Sequence, residues 1–151
     1  MNPAVRGRRA VFFLAALLLA TSASAQDKAK LKSTRTFRCL FVRGATGDMD
    51  GDQPLVRPNA DSLELIFDQV DAQNGTGRIV GNAGGGDVTV IIGAESISIL
   101  EATLFGTLQV TVVYMAQRSD GQFKAVHSRH TAMTGGIPIA SQTYGTCRPL
   151  L

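Results

Sequence analysis

Two histidines stand three residues apart near the C-terminal end of the chain. His127 and His130 form an H-x-x-H pair, which on a helix would place both imidazoles on one face, where they could share a metal ion. The surrounding sequence FKAVHSRH alternates in the manner of a β-strand. On a strand an offset of three residues sends the two rings to opposite faces, so the pattern argues against a two-histidine metal site.

Strand alternation instead places His127 on the same face as Phe123 and Arg129. If that face points into the protein, the imidazole and the guanidinium need polar partners, because an unpaired buried polar group is costly. Three side chains elsewhere have suitable chemistry: Glu101, Asp68 and Tyr144. For these side chains we favour a polar cluster that stabilises the last strands. The functional alternative, and our candidate site, is a ligand-binding cluster of His127, Arg129 and Tyr144 for a small anion, since arginine offers a planar fork of donors.

Catalytic motifs are scarce in this chain. It has no Gly-x-Ser-x-Gly elbow, and we expect both cysteines to be used in a disulfide. The glycine run Gly81–Asp87 lacks the Gly-Lys-Ser/Thr ending of a phosphate-binding loop and the glycine spacing of a dinucleotide-binding motif. We interpret this run as a turn between two strands, and we predict a protein that is not an enzyme and has no cofactor.

One acidic segment has part of the chemistry of a calcium site. Asp48, Asp50 and Asp52 alternate in DMDGD, and calcium prefers carboxylate ligands. An EF-hand loop beginning at Asp48 would need glycine at its sixth position and glutamate at its twelfth, where this chain has Gln53 and Asn59. The aspartates are therefore a weak calcium candidate, and a solvated acidic turn is the favoured interpretation.

The beginning of the chain has the pattern of a secretory signal peptide. Three arginines precede an apolar run over residues 10–20, and Ala23-Ser24-Ala25 matches the small-residue cleavage pattern. The apolar run is too short to span a bilayer as a helix. We therefore expect residues 1–25 to be removed without leaving a stable membrane anchor, and the mature protein to be periplasmic or secreted.

Removal of this leader also removes the excess of positive charge. The whole chain has 15 Lys and Arg against 12 Asp and Glu, and the leader holds three of the arginines and no acid, which leaves 12 residues of each sign. A balanced charge gives no electrostatic reason to expect binding to nucleic acid. We expect the partner to be a small ligand or a periplasmic protein.

After the leader, we predict a disordered polar segment over residues 26–34 and a single domain over residues 35–151. Cys39 and Cys147 lie near opposite ends of this domain, and two cysteines in an exported protein usually form a disulfide. In the chain-entropy model, closing so long a loop stabilises the fold by about 4–5 kcal/mol.

Segments with the composition of short strands recur through the domain, separated by glycine-bearing turns. They are Thr36–Arg43, Gly77–Gly81, Val88–Ile92, Ser96–Leu100, Leu104–Met115, Phe123–His130 and Ala140–Cys147. A further segment, Ser62–Val70, fits both strand and helix spacing, and we favour the strand. About eight short strands predict an all-β fold, either an antiparallel, lipocalin-like barrel closed by the disulfide or a β-sandwich.

Two local predictions concern the faces and limits of these strands. In Leu104–Met115 one face is lined by Leu104, Leu108, Val110, Val112 and Tyr114, and Thr107, Gln109 and Thr111 mark the other face as partly wet. We expect Pro54 and Pro58 to keep their neighbours out of regular structure, which leaves an exposed loop within Gly44–Asn59.

The ending AVHSRH…SQTYGTC, with IFDQVD and IVGN upstream, resembles a group of small exported bacterial proteins that have no assigned activity. The resemblance implies a bacterial origin and a periplasmic or secreted location, and it transfers no catalytic residue. The predicted plan is similar to that of lipocalin-like barrels and periplasmic lysozyme inhibitors in architecture alone.

We therefore expect a non-enzymatic module that binds a small ligand or a protein. The alternative is an inhibitor of a cell-wall-degrading enzyme that presents a loop such as Gly44–Asn59 or Met133–Pro138. A hydrolase or metal enzyme is the least favoured interpretation.

Overall fold

A computed structural model describes residues 25–81, 84–104 and 106–150. The predicted leader, residues 1–25, lies outside these ranges except for Ala25. Within them, a short helix, α1, covers residues 25–33, and no helix has the length and apolar composition needed to cross a membrane. The strands are β1 (Phe37–Asp48), β2 (Leu55–Asn59), β3 (Leu63–Asp71), β4 (Thr76–Gly81), β5 (Gly84–Ile92), β6 (Ser96–Ala102), β7 (Leu108–Gln117), β8 (Phe123–Ala132) and β9 (Pro138–Pro149).

These strands form one antiparallel sheet that closes on itself. Neighbours pair in chain order from β3 to β9, and β9 pairs with β1 along its whole length. β2 pairs with Gly44–Asp48 of β1 and β3 pairs with Phe37–Phe41, so β2 and β3 share one position in the barrel. The closed barrel of eight strand positions confirms the all-β prediction and excludes the sandwich. It also confirms that the ambiguous segment Ser62–Val70 is a strand.

The disulfide lies at the seam between the first and last strands. Cys39 and Cys147 are directly opposite each other in the β1–β9 register, and their sulfur atoms are bonded. Both cysteines are fully buried in the core. The predicted bond is confirmed, and it joins the two strands whose pairing closes the barrel.

One end of the barrel, here named the closed end, is filled with apolar side chains. It is formed by the beginnings of β1 and β8 and the ends of β3 and β9. Four phenylalanines and one leucine from α1 are almost completely buried in its core cluster: Phe37, Phe41, Phe67, Phe123 and Leu31. These large rings therefore fill much of the lumen at the closed end.

Helix α1 covers the closed end, which corrects the prediction of a disordered segment over residues 26–34. Leu31 is only 1% exposed and belongs to the core cluster. Gln117 of β7 donates a hydrogen bond from Nε2 to Oδ1 of Asp27 (2.9 Å), and Thr34 Oγ1 donates to the carbonyl of Lys30 (2.7 Å). The lysine-rich composition concealed this helix, because one buried leucine supplies nearly all of its apolar contact.

The opposite end of the barrel, here named the open end, has polar side chains on its inner wall. On β7, Thr111 and Val113 are buried inside, with Gln109 in phase with them, whereas Leu108 is exposed on the outer surface. The apolar face of this strand therefore points outward, and the face predicted to be wet lines the lumen. The strand also begins later than predicted, since Leu104 lies in a turn and is fully exposed.

Strand β2 corrects the prediction that prolines exclude regular structure from its segment. Pro58 lies within β2, opposite Ala45 of β1. Among the described strands β2 pairs with β1 alone, and a proline is tolerated on an edge strand because its missing N–H need not face a partner. Gly44–Asn59 therefore contains two paired strands joined by a short loop over residues 49–54.

Candidate functional site

His127 lies inside the barrel and is 3% exposed. Its Nδ1 shares a hydrogen bond with Thr111 Oγ1 (2.9 Å), and its ring centroid lies 5.5 Å from that of Phe41. Thr143 Oγ1 donates to the backbone carbonyl of His127 (3.4 Å). Burial, helped by the positive charge of Arg129, lowers the pKa of His127 to about 4. His127 is therefore neutral near pH 7, and its ring is packed against side chains of neighbouring strands.

The partner of His127 is not one of the three side chains that the sequence suggested. Thr111 is directly opposite His127 in the β7–β8 register. The Asp120-Gly121 turn indicates that these strands pair, but their register shifts between Val113 and Gln117. Counting residues outward from the turn therefore does not identify Thr111 as the residue opposite His127. Only the pairing in the three-dimensional structure does so.

The predicted cluster of His127, Arg129 and Tyr144 is not assembled. Tyr144 is 54% exposed on the outer surface opposite Val126, and its hydroxyl donates to Oε1 of Gln142 (2.7 Å). Arg129 is exposed two residues nearer the open end, on the face of β8 that carries His127. The correction follows from the period of two in β9, where buried Thr143 and Cys147 face inward and Tyr144 must face outward.

His130 occupies the outer face of β8 and is exposed. It lines shallow clefts between β8, β9 and the end of β1, with Gly47 and Ala140 as neighbours. The strand argument that separated the two histidines is therefore confirmed, since His127 is inside the barrel and His130 is outside it.

The three aspartates of the calcium candidate do not come together. Asp48 ends β1 and accepts a hydrogen bond from Arg57 Nη1 (2.6 Å), while Asp50 and Asp52 lie exposed in the loop between β1 and β2. Within residues 25–81, 84–104 and 106–150, no group of three or more His, Cys, Asp or Glu side chains is arranged to hold a metal ion.

A cleft of about 430 Å³ opens inside the wall of the barrel at the open end. It is lined by Leu65, Ile79, Gly81, Gly84, Gly85, Gly86, Glu101 and Gln109, which belong to β3, β4, β5, β6 and β7. Three other clefts with described linings measure about 250, 320 and 350 Å³ and lie mainly along the outer surface. We name the largest of these four the mouth cleft.

The mouth cleft combines an apolar base with one fixed carboxylate. Leu65 and Ile79 are buried and belong to the core cluster. Glu101 continues the inward-facing series of β6 that includes Ile97 and Ile99. Gln109 is opposite Glu101 in the β6–β7 register and donates from Nε2 to Oε2 of Glu101 (2.8 Å). This hydrogen bond fixes the orientation of the carboxylate.

Gly86 provides the space in front of that carboxylate. A Cβ at this position would lie 3.1 Å from Glu101 Oε1 and 3.6 Å from Ile79 Cγ2. A larger side chain would therefore fill the cleft between the carboxylate and its apolar base. The glycine run does connect two paired strands, β4 and β5, as predicted, but Gly84, Gly85 and Gly86 themselves belong to β5.

The sequence suggests a role for each of these residues separately, but it does not indicate that they line one cleft. Glu101 was a possible partner for His127, and Gln109 marked a wet strand face. The available signal was the phase of each strand, because Glu101 alternates with buried isoleucines and Gln109 with Thr111. Their proximity to Gly86 depends on strand order and register, which alternation alone does not specify.

No protein-family model, curated protein or solved structure matches this chain.

Proposed function

We propose that this protein is a non-enzymatic binding barrel of the periplasm or extracellular space, and that it holds a small ligand in the mouth cleft. The difference between the two ends of the barrel carries the proposal. The closed end is packed with phenylalanines and covered by α1, whereas the open end has a cleft of about 430 Å³. This volume falls within the range of roughly 300–1,000 Å³ that is typical of small-molecule sites.

The composition of the mouth cleft suits binding. A mostly apolar lining with a few convergent polar groups is the usual arrangement of a ligand site. Here Leu65 and Ile79 supply the apolar part, and Glu101 and Gln109 supply the polar part.

The environments of the two histidines do not support an acid–base mechanism that depends on histidine. His127 is buried against Thr111 and Phe41, and His130 lies on the outer surface. Neither lines the mouth cleft. A general base must lie within hydrogen-bonding reach of the proton that it removes, and the described lining of this cleft offers no histidine for that role.

The proposal is tested by filling the cleft. Gly86→Leu places a side chain against Glu101 and Ile79, and Gly51→Leu is the matched control, since a Cβ on Gly51 meets nothing within 4 Å. The probe is N-phenyl-1-naphthylamine, whose fluorescence rises in apolar surroundings. We expect enhancement with the wild type and Gly51→Leu, and loss of enhancement with Gly86→Leu at an unchanged circular dichroism spectrum.

Equal binding of the probe by folded Gly86→Leu and by the wild type would refute the mouth cleft as the site. Native mass spectrometry of protein purified gently from its own compartment provides an independent check. We expect a co-purified small mass that Gly86→Leu lacks, whereas a co-purified protein would favour the inhibitor interpretation instead.

A further inference from the structure

We propose that the mouth cleft recognises an alkyl ammonium or alkyl guanidinium group, with the cation at Glu101 and the alkyl part against Leu65 and Ile79. This inference rests on the proposed function and specifies its ligand class. Two observations support it: the orientation of the Glu101 carboxylate and the distribution of charged side chains around that carboxylate.

Glu101 retains an acceptor that faces the cleft. Gln109 occupies Oε2 through the 2.8 Å hydrogen bond, and Oε1 points toward the space beside Gly86. In the part of the chain that the structure describes, no side chain donates to Oε1. An ionised carboxylate accepts hydrogen bonds at both oxygens, so Oε1 is placed to accept one from a ligand.

The described arginines do not neutralise this carboxylate. Four of them form ion pairs with other acids, namely Arg35 with Asp71, Arg38 with Glu64, Arg57 with Asp48 and Arg118 with Asp120.

Two further arginines lie nearer to the cleft. Arg129 of β8 is directly opposite Gln109 of β7. Arg78 of β4 is opposite Asp87 of β5, and its guanidinium lies beside Gly85. Because Arg78 is next to inward-facing Ile79 in the strand, it belongs to the outer face. Neither lines the cleft or forms an ion pair with Glu101 in the described structure. A ligand cation would therefore meet a negative charge that has no cationic partner.

The apolar base defines the remainder of the ligand. Leu65 and Ile79 are each 8% exposed and form the inner wall of the cleft beside Gly86. Burying an alkyl group there removes apolar surface from water on both partners, which is favourable. A strongly hydrated polar ligand would lose its hydration at this wall without finding new hydrogen bonds.

The test compares three probes with the same alkyl chain: octylammonium, 1-octanol and octanoate. Each is titrated into the mature protein by isothermal titration calorimetry at near-neutral pH. We expect octylammonium to bind about tenfold or more tightly than 1-octanol, because a hydrogen bond to a charged group is stronger than a neutral one. Octanoate should bind most weakly, since its carboxylate meets Glu101.

Glu101→Gln keeps the size of the side chain and removes its charge. We expect this variant to bind octylammonium and 1-octanol with similar affinity. The control is Glu95→Gln, which removes an exposed charge from the turn between β5 and β6 and should preserve the wild-type preference. The ranking of the three probes on the wild type requires no variant, so a Glu101→Gln protein that fails to fold does not prevent the test.

Equal binding of octylammonium, 1-octanol and octanoate by the wild type would overturn the charge preference and leave the proposed function standing. A preference for octylammonium that persists in folded Glu101→Gln would overturn the assigned residue. Failure of all three probes to bind would overturn this inference, and loss of the naphthylamine signal from the wild type would overturn the proposed function independently.

Discussion

Thr111 and His127 face each other across β7 and β8, and Thr111 Oγ1 lies 2.9 Å from His127 Nδ1. Both residues are buried, so water cannot readily replace this hydrogen bond. The pair divides the barrel, with the phenylalanine core on its closed side and Gln109 and Arg129 on its open side. Two predictions depend on it.

Thr111→Val keeps the shape of the side chain and removes the hydroxyl. It leaves His127 Nδ1 without its partner inside the barrel, and an unsatisfied buried polar group costs about 1–3 kcal/mol. We expect the free energy of unfolding in urea to fall by that amount. Thr89→Val on the exposed outer face of β5 is the control and should change stability by less than about 0.5 kcal/mol. Equal effects of the two substitutions would contradict the role of the hydrogen bond.

The buried imidazole also predicts a loss of stability in acid. Burial lowers the pKa of His127 from 6.5 to about 4, so between these values the unfolded chain binds more protons than the folded protein. The contribution is fully present above pH 6.5, decreases as pH falls and is lost below about pH 4. The loss is at most about 3 kcal/mol, since one pKa unit corresponds to about 1.4 kcal/mol.

Unfolding in urea across this pH range measures the effect. His127→Gln keeps a polar atom near Thr111 and removes the titration, so its stability should decrease less steeply with acid than that of the wild type. Parallel decreases in the two proteins would show that other groups, such as the carboxylates, cause the acid sensitivity.

Leu31→Ala tests whether α1 covers the closed end in solution. Leu31 is 1% exposed in the core cluster, and truncation of a buried leucine typically costs about 2–5 kcal/mol. We expect a loss near the lower limit, because α1 is a short helix outside the sheet and can move to relieve the cavity. Lys32→Ala on the exposed side of α1 is the matched control and should be nearly neutral. A neutral Leu31→Ala would mean that the segment is disordered, as its composition suggested.

Gly145→Ala tests the close approach of β1 and β9 beside the disulfide. A Cβ on Gly145 would overlap the carbonyl oxygen of Leu40 and lie 2.6 Å from Phe41 Cα. Backbone atoms cannot move aside without disturbing the register of β1, so we expect a loss of about 3 kcal/mol or more, or failure to fold. Gly47→Ala is the control, because its nearest neighbour would be a Val56 methyl group at 3.4 Å. Thermal unfolding compares the two variants.

Several features of the fold could be predicted from local patterns. Alternation located most of the strands, and the distance between Cys39 and Cys147 in the chain suggested a bond between its first and last strands, which the structure confirms. The separation of His127 from His130 needed only the period of a strand. The limits of the strands were less predictable, since β1 continues to Asp48 and β2 includes Pro58 where pairing with a neighbour compensates for poor local propensity.

The candidate site was not predictable in the same way. His127 and Arg129 were placed correctly on one strand face, but Tyr144 was assigned to their cluster and lies outside the barrel. The proximity of Tyr144 to His127 and Arg129 in the chain suggests that they form one cluster, but the alternation of β9 places Tyr144 on the outer face. Gly86 of β5 and Glu101 of β6 lie on consecutive paired strands, but alternation does not specify the register between them, so neither residue suggests the other.

The amino-acid sequence alone determined the alternation of each strand, the disulfide partners and the balanced charge of residues 26–151. The tertiary structure decided which face of each strand is inside. On β7 the face with Gln109 and Thr111 points inward together with Val113, which is buried in the core cluster. The register between β5 and β6 then brings Glu101 beside Gly86, because the alternation within a strand determines which residues share a face but not how the strand is aligned with its neighbour.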